Sequence, residues 1–500
     1  MIDIETRLSN ASKNINVTFV DPEVVLAKAK LKKPTRKFDL SKFLSISLKT
    51  CFSLALALLV LVPIITIVKD FSGPMSDSKS DPIEPNGGSI QEDESKYIPT
   101  ESYNDDLIRR RARISDFKYE DTGSNFDSFV DKMNTVPFNL FADVNSYNTA
   151  KTNVAYSPVS LYNALSILSR TLEDTDKENV LNYLGVTQEE LETYLPDVIK
   201  ACNKTYLKDE KITGKEILDN SIWLDVNHYY DQFALKDLSE DYYTNSFWGD
   251  FASEQSKTNK KMSDYVKDIT EGRVEPNFNF AKDSSYVIMS NMFFTDTWGT
   301  EESPFEKLGN YEFKQQNGSR KQVSFLGKGH NPGKPIETEK YKSMAIETSS
   351  GFKVDFLVPK DGYTVDDLFT TEILNVHKTL EYTLRDENGE YFTDVRFPEF
   401  SGAFQGNLLN PILNTIGTKK LSNFGTFATN KETGENDFKI SSIYHTTRMS
   451  VTYEDEGKSS DENNNFSFDY LNSFNIDRSF IYIIEDPHGV TLFDGITYSI

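Results

Sequence analysis
The sequence predicts an α+β domain built on a large central sheet. Two observations carry that expectation. Beyond about residue 120, helical periodicity dominates the first half and β-rich runs the second, the order expected when helices and sheet segregate instead of alternating. Several of the β-rich runs are apolar at every position, which marks strands covered on both faces. A chain that is 38% hydrophobic and 13% aromatic has the core material for such a body, and wholesale disorder is excluded.

In chain order, residues 1–49 are basic, with ten Lys/Arg against five acids. From Thr50 to Val68 the chain reads TCFSLALALLVLVPIITIV, without a charge. At about 1.5 Å per residue this run spans about 28 Å, close to a hydrocarbon core, so residues 50–68 are expected to form a transmembrane helix. Nearly fifty residues precede it and no small-residue cleavage site follows, unlike a signal peptide. The charge bias places the N-terminus in the cytoplasm and the rest outside, as a single-pass protein of the cell membrane. Residues 69–121 are acidic and rich in Ser and Pro, and read as an extended linker. No second long linker appears, so residues 122–500 are expected to be one domain.

Within it, SPVSLYNALSILSRTL opens with Ser157 before Pro158 and spaces Leu161, Leu165 and Leu168 as a buried helix does. Strands are expected at Tyr286 to Phe294, Met344 to Pro359, Arg448 to Tyr453, Phe480 to Asp486 and Gly489 to Ile500, each bounded by turn residues.

A formal charge of −23 repels phosphate backbones, so nucleic acid is not an expected partner. Two cysteines, Cys51 and Cys202, cannot build a disulfide framework or a Cys-based zinc site. His228, His330, His377, His445 and His488 are scattered singly, and HExxH, GxSxG and GxxxxGK[ST] are absent. No catalytic residue, metal or cofactor is therefore expected, and the chain does not read as an enzyme. Ser157, Ser290 and His445 lack the acid and the nucleophile elbow that a hydrolase triad needs.

The segment from Phe474 to Ile484, FNIDRSFIYII, followed by Leu492-Phe493-Asp494-Gly495, resembles the C-terminal signature of the serpin family. Asn153 to Ser160, Asn220-Ser-Ile-Trp223, Tyr265 to Arg273 and Val287 to Trp298 resemble further family segments in family order, so the likeness covers roughly residues 122–500. It implies three β-sheets, about nine helices and an exposed reactive-centre loop some twenty residues before the last strands. Inhibitory members act as suicide substrates: a protease cleaves the loop, becomes acylated, and is dragged and distorted as the loop inserts into the largest sheet. The resemblance also groups Ser157, Ser160 and His445, with Ser290 or Asn291, as a polar cluster controlling sheet opening, and sets Trp298 at the loop's entry point. Taken without it, Ser157 is a helix cap, Ser160 an ordinary helical serine and Trp298 core packing.

The implied loop departs from the family pattern. Its hinge, Glu454, Asp455, Glu456, Gly457 and Lys458, is charged where inhibitory members carry small residues. Counting from His445 points Glu456, Lys458, Ser460 and Glu462 inward; anchoring on Gly457 points Lys458, Ser460, Glu462 and Asn464 inward. Either register buries charge, at several kcal/mol per unpaired ion. The scissile window is Phe466, Ser467, Phe468, Asp469, Tyr470 and Leu471. Its aromatics suit a chymotrypsin-like or subtilisin-like serine protease as partner, with a cysteine protease as the other implied target. The leading expectation is a membrane-tethered, extracytoplasmic serine protease inhibitor. The charged hinge supports the alternative, a non-inhibitory binding or structural module.

Overall fold
The computed structural model describes residues 123–208, 211–299, 305–386, 389–453 and 473–500. The basic segment, the apolar run 50–68, the linker, the hinge and the scissile window lie outside the described residues. Among those described, no helix is long and apolar enough to cross a membrane.

Helix α1 (Gly123–Ser146) buries Phe129, Met133, Phe138 and Phe141. A short β1 (Val154–Tyr156) leads into α2 (Pro158–Thr171). The Ser157 side chain caps α2 by accepting the Ser160 N–H, Pro158 fills the first turn, and every residue except Arg170 is buried. Next come α3 (Asp174–Leu184), closed by a left-handed Gly185, and α4 (Gln188–Ala201), opened by a Thr187/Glu190 capping box. The chain continues through β2 (Thr205–Lys208), β3 (Lys211–Asp225), β4 (His228–Tyr230), α5 (Gln232–Glu240), β5 (Asn245–Gly249), α6 (Gln255–Ile269) and β6 (Tyr286–Thr297). Then follow β7 (Glu306–Lys314), β8 (Arg320–Pro332), β9 (Ile336–Glu337), β10 (Tyr341–Glu347), β11 (Lys353–Pro359), α7 (Val365–Leu368) and α8 (Thr371–His377). The last third holds β12 (Arg385–Asp386), β13 (Gly389–Glu390), β14 (Phe392–Pro398), β15 (Ser401–Asn407), α9 (Leu409–Ile416), β16 (Ala428–Asn430), β17 (Ile440–Thr452), β18 (Ser473–Asn475), β19 (Phe480–Glu485) and β20 (Thr491–Thr497).

Three large sheets result, as expected, with nine helices among the described residues. The central sheet has the order β15-β17-β6-β3-β2, with β5 also on β3. The second is β1-β20-β19-β11-β10-β9 and the third β18-β14-β8-β7. In the central sheet β15 and β17 are antiparallel, as are β6 and β3, but β17 and β6 run parallel from Ile440↔Tyr286 to Thr452↔Thr297. Side chains alternate across this sheet. On one face Ile288, Met292, Phe294, Met449 and Val451 join the main core beneath α2. On the other, Val287 and Met289 join a smaller aromatic cluster with Tyr265 and Val266 of α6.

Two expectations need correction. The run Met344 to Pro359 is two strands, because Gly351 takes a positive φ of 86° in a tight turn between β10 and β11. Arg448 to Tyr453 is only the end of β17, whose first half, ISSIYHTT, is polar yet paired on both sides. The mostly helical first half also contains β3, the longest strand described, which includes the family-like segment Asn220 to Trp223 and whose Lys, Glu, Asp and Asn mask its period.

Candidate functional site
The N-terminus of α2 abuts the core face of the seam between β6 and β17. The Ser157 backbone N–H donates to His445 Nε2 at 3.2 Å. An amide only donates, so Nε2 carries no proton and the neutral ring holds its hydrogen on Nδ1. Nδ1–H then donates to Ser290 Oγ at 3.1 Å. Ser290 and Ser160 share a hydroxyl–hydroxyl hydrogen bond of 2.7 Å. Ser290 lies directly opposite His445 across the seam, so one helix terminus bonds both central strands. Thr447 adds a second tie from β17, donating to the Ala155 carbonyl of β1.

His445 is fully buried, its ring stacked 5.7 Å from Phe141 and tilted 5.9 Å from Phe404. Burial pushes its pKa down to about 3, so the imidazole stays neutral and keeps the tautomer that its neighbours demand. Its two nitrogens face an amide and a hydroxyl, and neither partner is a carboxylate that could complete a triad.

Four of the six cluster candidates therefore meet: Ser157, Ser160, Ser290 and His445. Asn291 does not belong with them. One residue along β6, it points to the α6 face, opposite Thr446. Trp298 is also separate, eight residues and roughly 26 Å along the strand from Ser290. Its backbone N–H donates to Thr452 O at 2.9 Å, and its ring packs on Phe397 at 4.7 Å and Phe305 at 5.8 Å, closing one end of the seam. Asn220, buried and opposite Ser290 on β3, was missed. Its signal was an amide on the strand face it shares with the core residues Leu218, Ile222 and Leu224.

Strand β17 ends at Thr452, and the chain returns at Ser473, where β18 pairs in parallel with Asp394 of β14. The hinge Glu454 to Lys458 and the window Phe466 to Leu471 fall between these points, outside the described residues. Among the described residues no group of three or more His, Cys, Asp or Glu could hold a metal ion.

A profile of the family described as Serpin (serine protease inhibitor) matches residues 131–499. An uncharacterized serpin-like protein of Methanosarcina acetivorans is 23% identical over 382 residues, covering 72% of this chain and 84% of that protein. Among solved structures, the thermophilic serpin tengpin in its native state superposes with a TM-score of 0.60 at 19% identity, covering 78% of this chain and 98% of that one. Human thyroxine-binding globulin in complex with its ligand gives 0.61 at 18%, covering 75% and 99%. These two likenesses speak to fold.

Proposed function
The chain belongs to the serpin family, and from that premise we propose that residues 122–500 form a serine protease inhibitor acting as a suicide substrate, not an enzyme. In this reading residues 50–68 tether it to a cell membrane, with residues 1–49 cytoplasmic and the inhibitor domain outside. The observation that supports it best is the parallel seam. Parallel pairing is slightly less stable per residue than antiparallel pairing, and both outer neighbours of the seam are antiparallel. A strand folding back from the end of β17 into the seam would run antiparallel to β17 and β6 alike. The ladder is long enough to take such a strand from Glu456 almost to the scissile window. Loop insertion then replaces one weak pairing with two stronger ones, the drive that carries an acylated chymotrypsin-like or subtilisin-like protease along.

A second reading, a non-inhibitory binding module, has its own support. The core face of the seam beside the hinge is lined by the apolar Val451, Met449, Phe294 and Met292, with the buried carboxylate of Asp296 opposite Val451. Glu456 would enter there without a partner on the seam strands, and Lys458 would meet only Asp296, whose carboxylate is already engaged by Thr348, Ser349 and Ser350. The two readings part in one experiment: nick the loop between Asn463 and Asn475 with limiting protease, then follow thermal unfolding and covalent complex formation with chymotrypsin. A midpoint raised by tens of degrees and a denaturation-resistant complex are expected. An unchanged midpoint would leave the trap mechanism without a driving force and favour the binding module.

A further inference from the structure
Asp296 is fully buried, and its carboxylate accepts five hydrogen bonds: from the Thr297 N–H at 2.8 Å, the Thr348 hydroxyl at 2.5 Å, the Ser349 hydroxyl at 2.9 Å, and the Ser350 N–H and hydroxyl at 3.3 and 2.9 Å. Four of these donors belong to the turn between β10 and β11, in a different sheet. Further bonds join the same pieces: Ser349 N–H donates to Thr297 O at 2.9 Å, and Trp298 bridges to Thr348. Gly214 of β3 makes the approach possible, because a Cβ there would stand 2.8 Å from Asp296 Oδ1 and 3.0 Å from Ser350 Oγ. Asp296 faces Val451 in the next-to-last pair of the seam, at the end where the chain leaves β17.

We propose that Asp296 is a latch on the seam, a positioning residue that holds the β6 half of the central sheet to the β10–β11 turn and so sets how fast the seam admits a strand. This rests on the reading of the chain as an inhibitor whose loop inserts. A hairpin growing from the end of β17 must part the seam first beside Val451 and Asp296. Admitting one strand there separates β6 from β17 by about 4.8 Å. Hydrogen bonds near 3 Å cannot follow a shift of that size while their donors stay on another sheet, and a buried carboxylate stripped of donors is strongly disfavoured. Because the latch lies on β6 and not on the loop, it opposes opening whatever residues the loop carries.

The test uses the full chain with a nicked loop, comparing wild type with Asp296→Ala and with the milder Ser350→Ala, which leaves the carboxylate in place. Three quantities are read: the midpoint before nicking, the midpoint after full conversion, and the rate of gaining heat resistance. A latch predicts conversion accelerated at least tenfold in Asp296→Ala and severalfold in Ser350→Ala, a lower midpoint before nicking, and an unchanged midpoint after conversion. If both midpoints fall together and the rate stays at the wild-type value, Asp296 merely supports the fold and the latch is refuted. A wild-type chain that gains no heat resistance on nicking overturns the inhibitor reading itself, and the latch with it, before any variant is compared.

Discussion

Two buried side chains set opposite responses to pH. His445 stays neutral in the folded chain down to about 3, whereas an unperturbed histidine takes up a proton near 6.5. Between those values the unfolded state binds more protons, so this group withdraws stability as pH falls below about 6.5, by about 1.4 kcal/mol per unit. Asp494, fully buried on β20 with neither carboxylate oxygen hydrogen-bonded, is pushed up from 3.8 to about 7 by burial. Here the folded state keeps the proton longer, so stability falls as pH rises from about 4 to about 7, again by about 1.4 kcal/mol per unit. The two slopes oppose each other between about 4 and 6.5, so the wild type hides both. Relative to it, Asp494→Asn should lose stability more steeply on acidification, and His445→Gln should gain stability. Urea midpoints at pH 5, 6, 7 and 8 check this, and parallel curves for the three proteins would dismiss either residue as a titrating element. Ser157 and His445 were legible in the sequence because their surroundings matched a known order. The tautomer was not, since it depends on an amide 288 positions away in the chain.

At the scale of elements, the place where the central and second sheets touch depends on two glycines. Tyr482 of β19 donates its hydroxyl to Val154 O at 3.2 Å. A Cβ on Gly402 of β15 would lie 2.0 Å from that hydroxyl, and one on Gly495 of β20 would lie 2.0 Å from the ring. Neither site has room, so Gly402→Ala and Gly495→Ala should each destabilise by at least about 2 kcal/mol through overpacking. Denaturant unfolding would show it, and a loss under about 0.5 kcal/mol would mean that Tyr482 swings aside freely. Gly495 was visible in the sequence as part of Leu492-Phe493-Asp494-Gly495, but the reason for it was not: the ring that fills the space comes from the neighbouring strand. The same limit explains which strands could be read. Apolar runs such as FIYIIE announce burial on both faces, whereas the first half of β17 owes its place to pairing partners about 40 residues away on β15 and more than 150 away on β6. A local window contains no trace of them.

At the scale of the whole molecule, the proposed tether makes a direct prediction. The full chain should sediment with membranes and resist extraction by high salt and alkaline carbonate, whereas residues 101–500 alone should remain in the supernatant. Full release of the intact chain by carbonate would refute an integral span. The part proposed to lie outside is more acidic than the whole chain, whose net charge of −23 includes the basic residues 1–49, so long-range attraction favours basic proteases, and their association should slow as salt rises. The chain also carries its own optical gauge. Of its three tryptophans, Trp223 is buried against Phe247 at 4.7 Å and Trp248 has the Lys431 ammonium 5.0 Å over its ring, both away from the end of the seam. Trp298 alone is packed among phenyl rings where the two strands would first separate. With the other two replaced by phenylalanine, the colour of its emission would time the parting of β6 from β17 in solution, without a label and before any change in mass or charge.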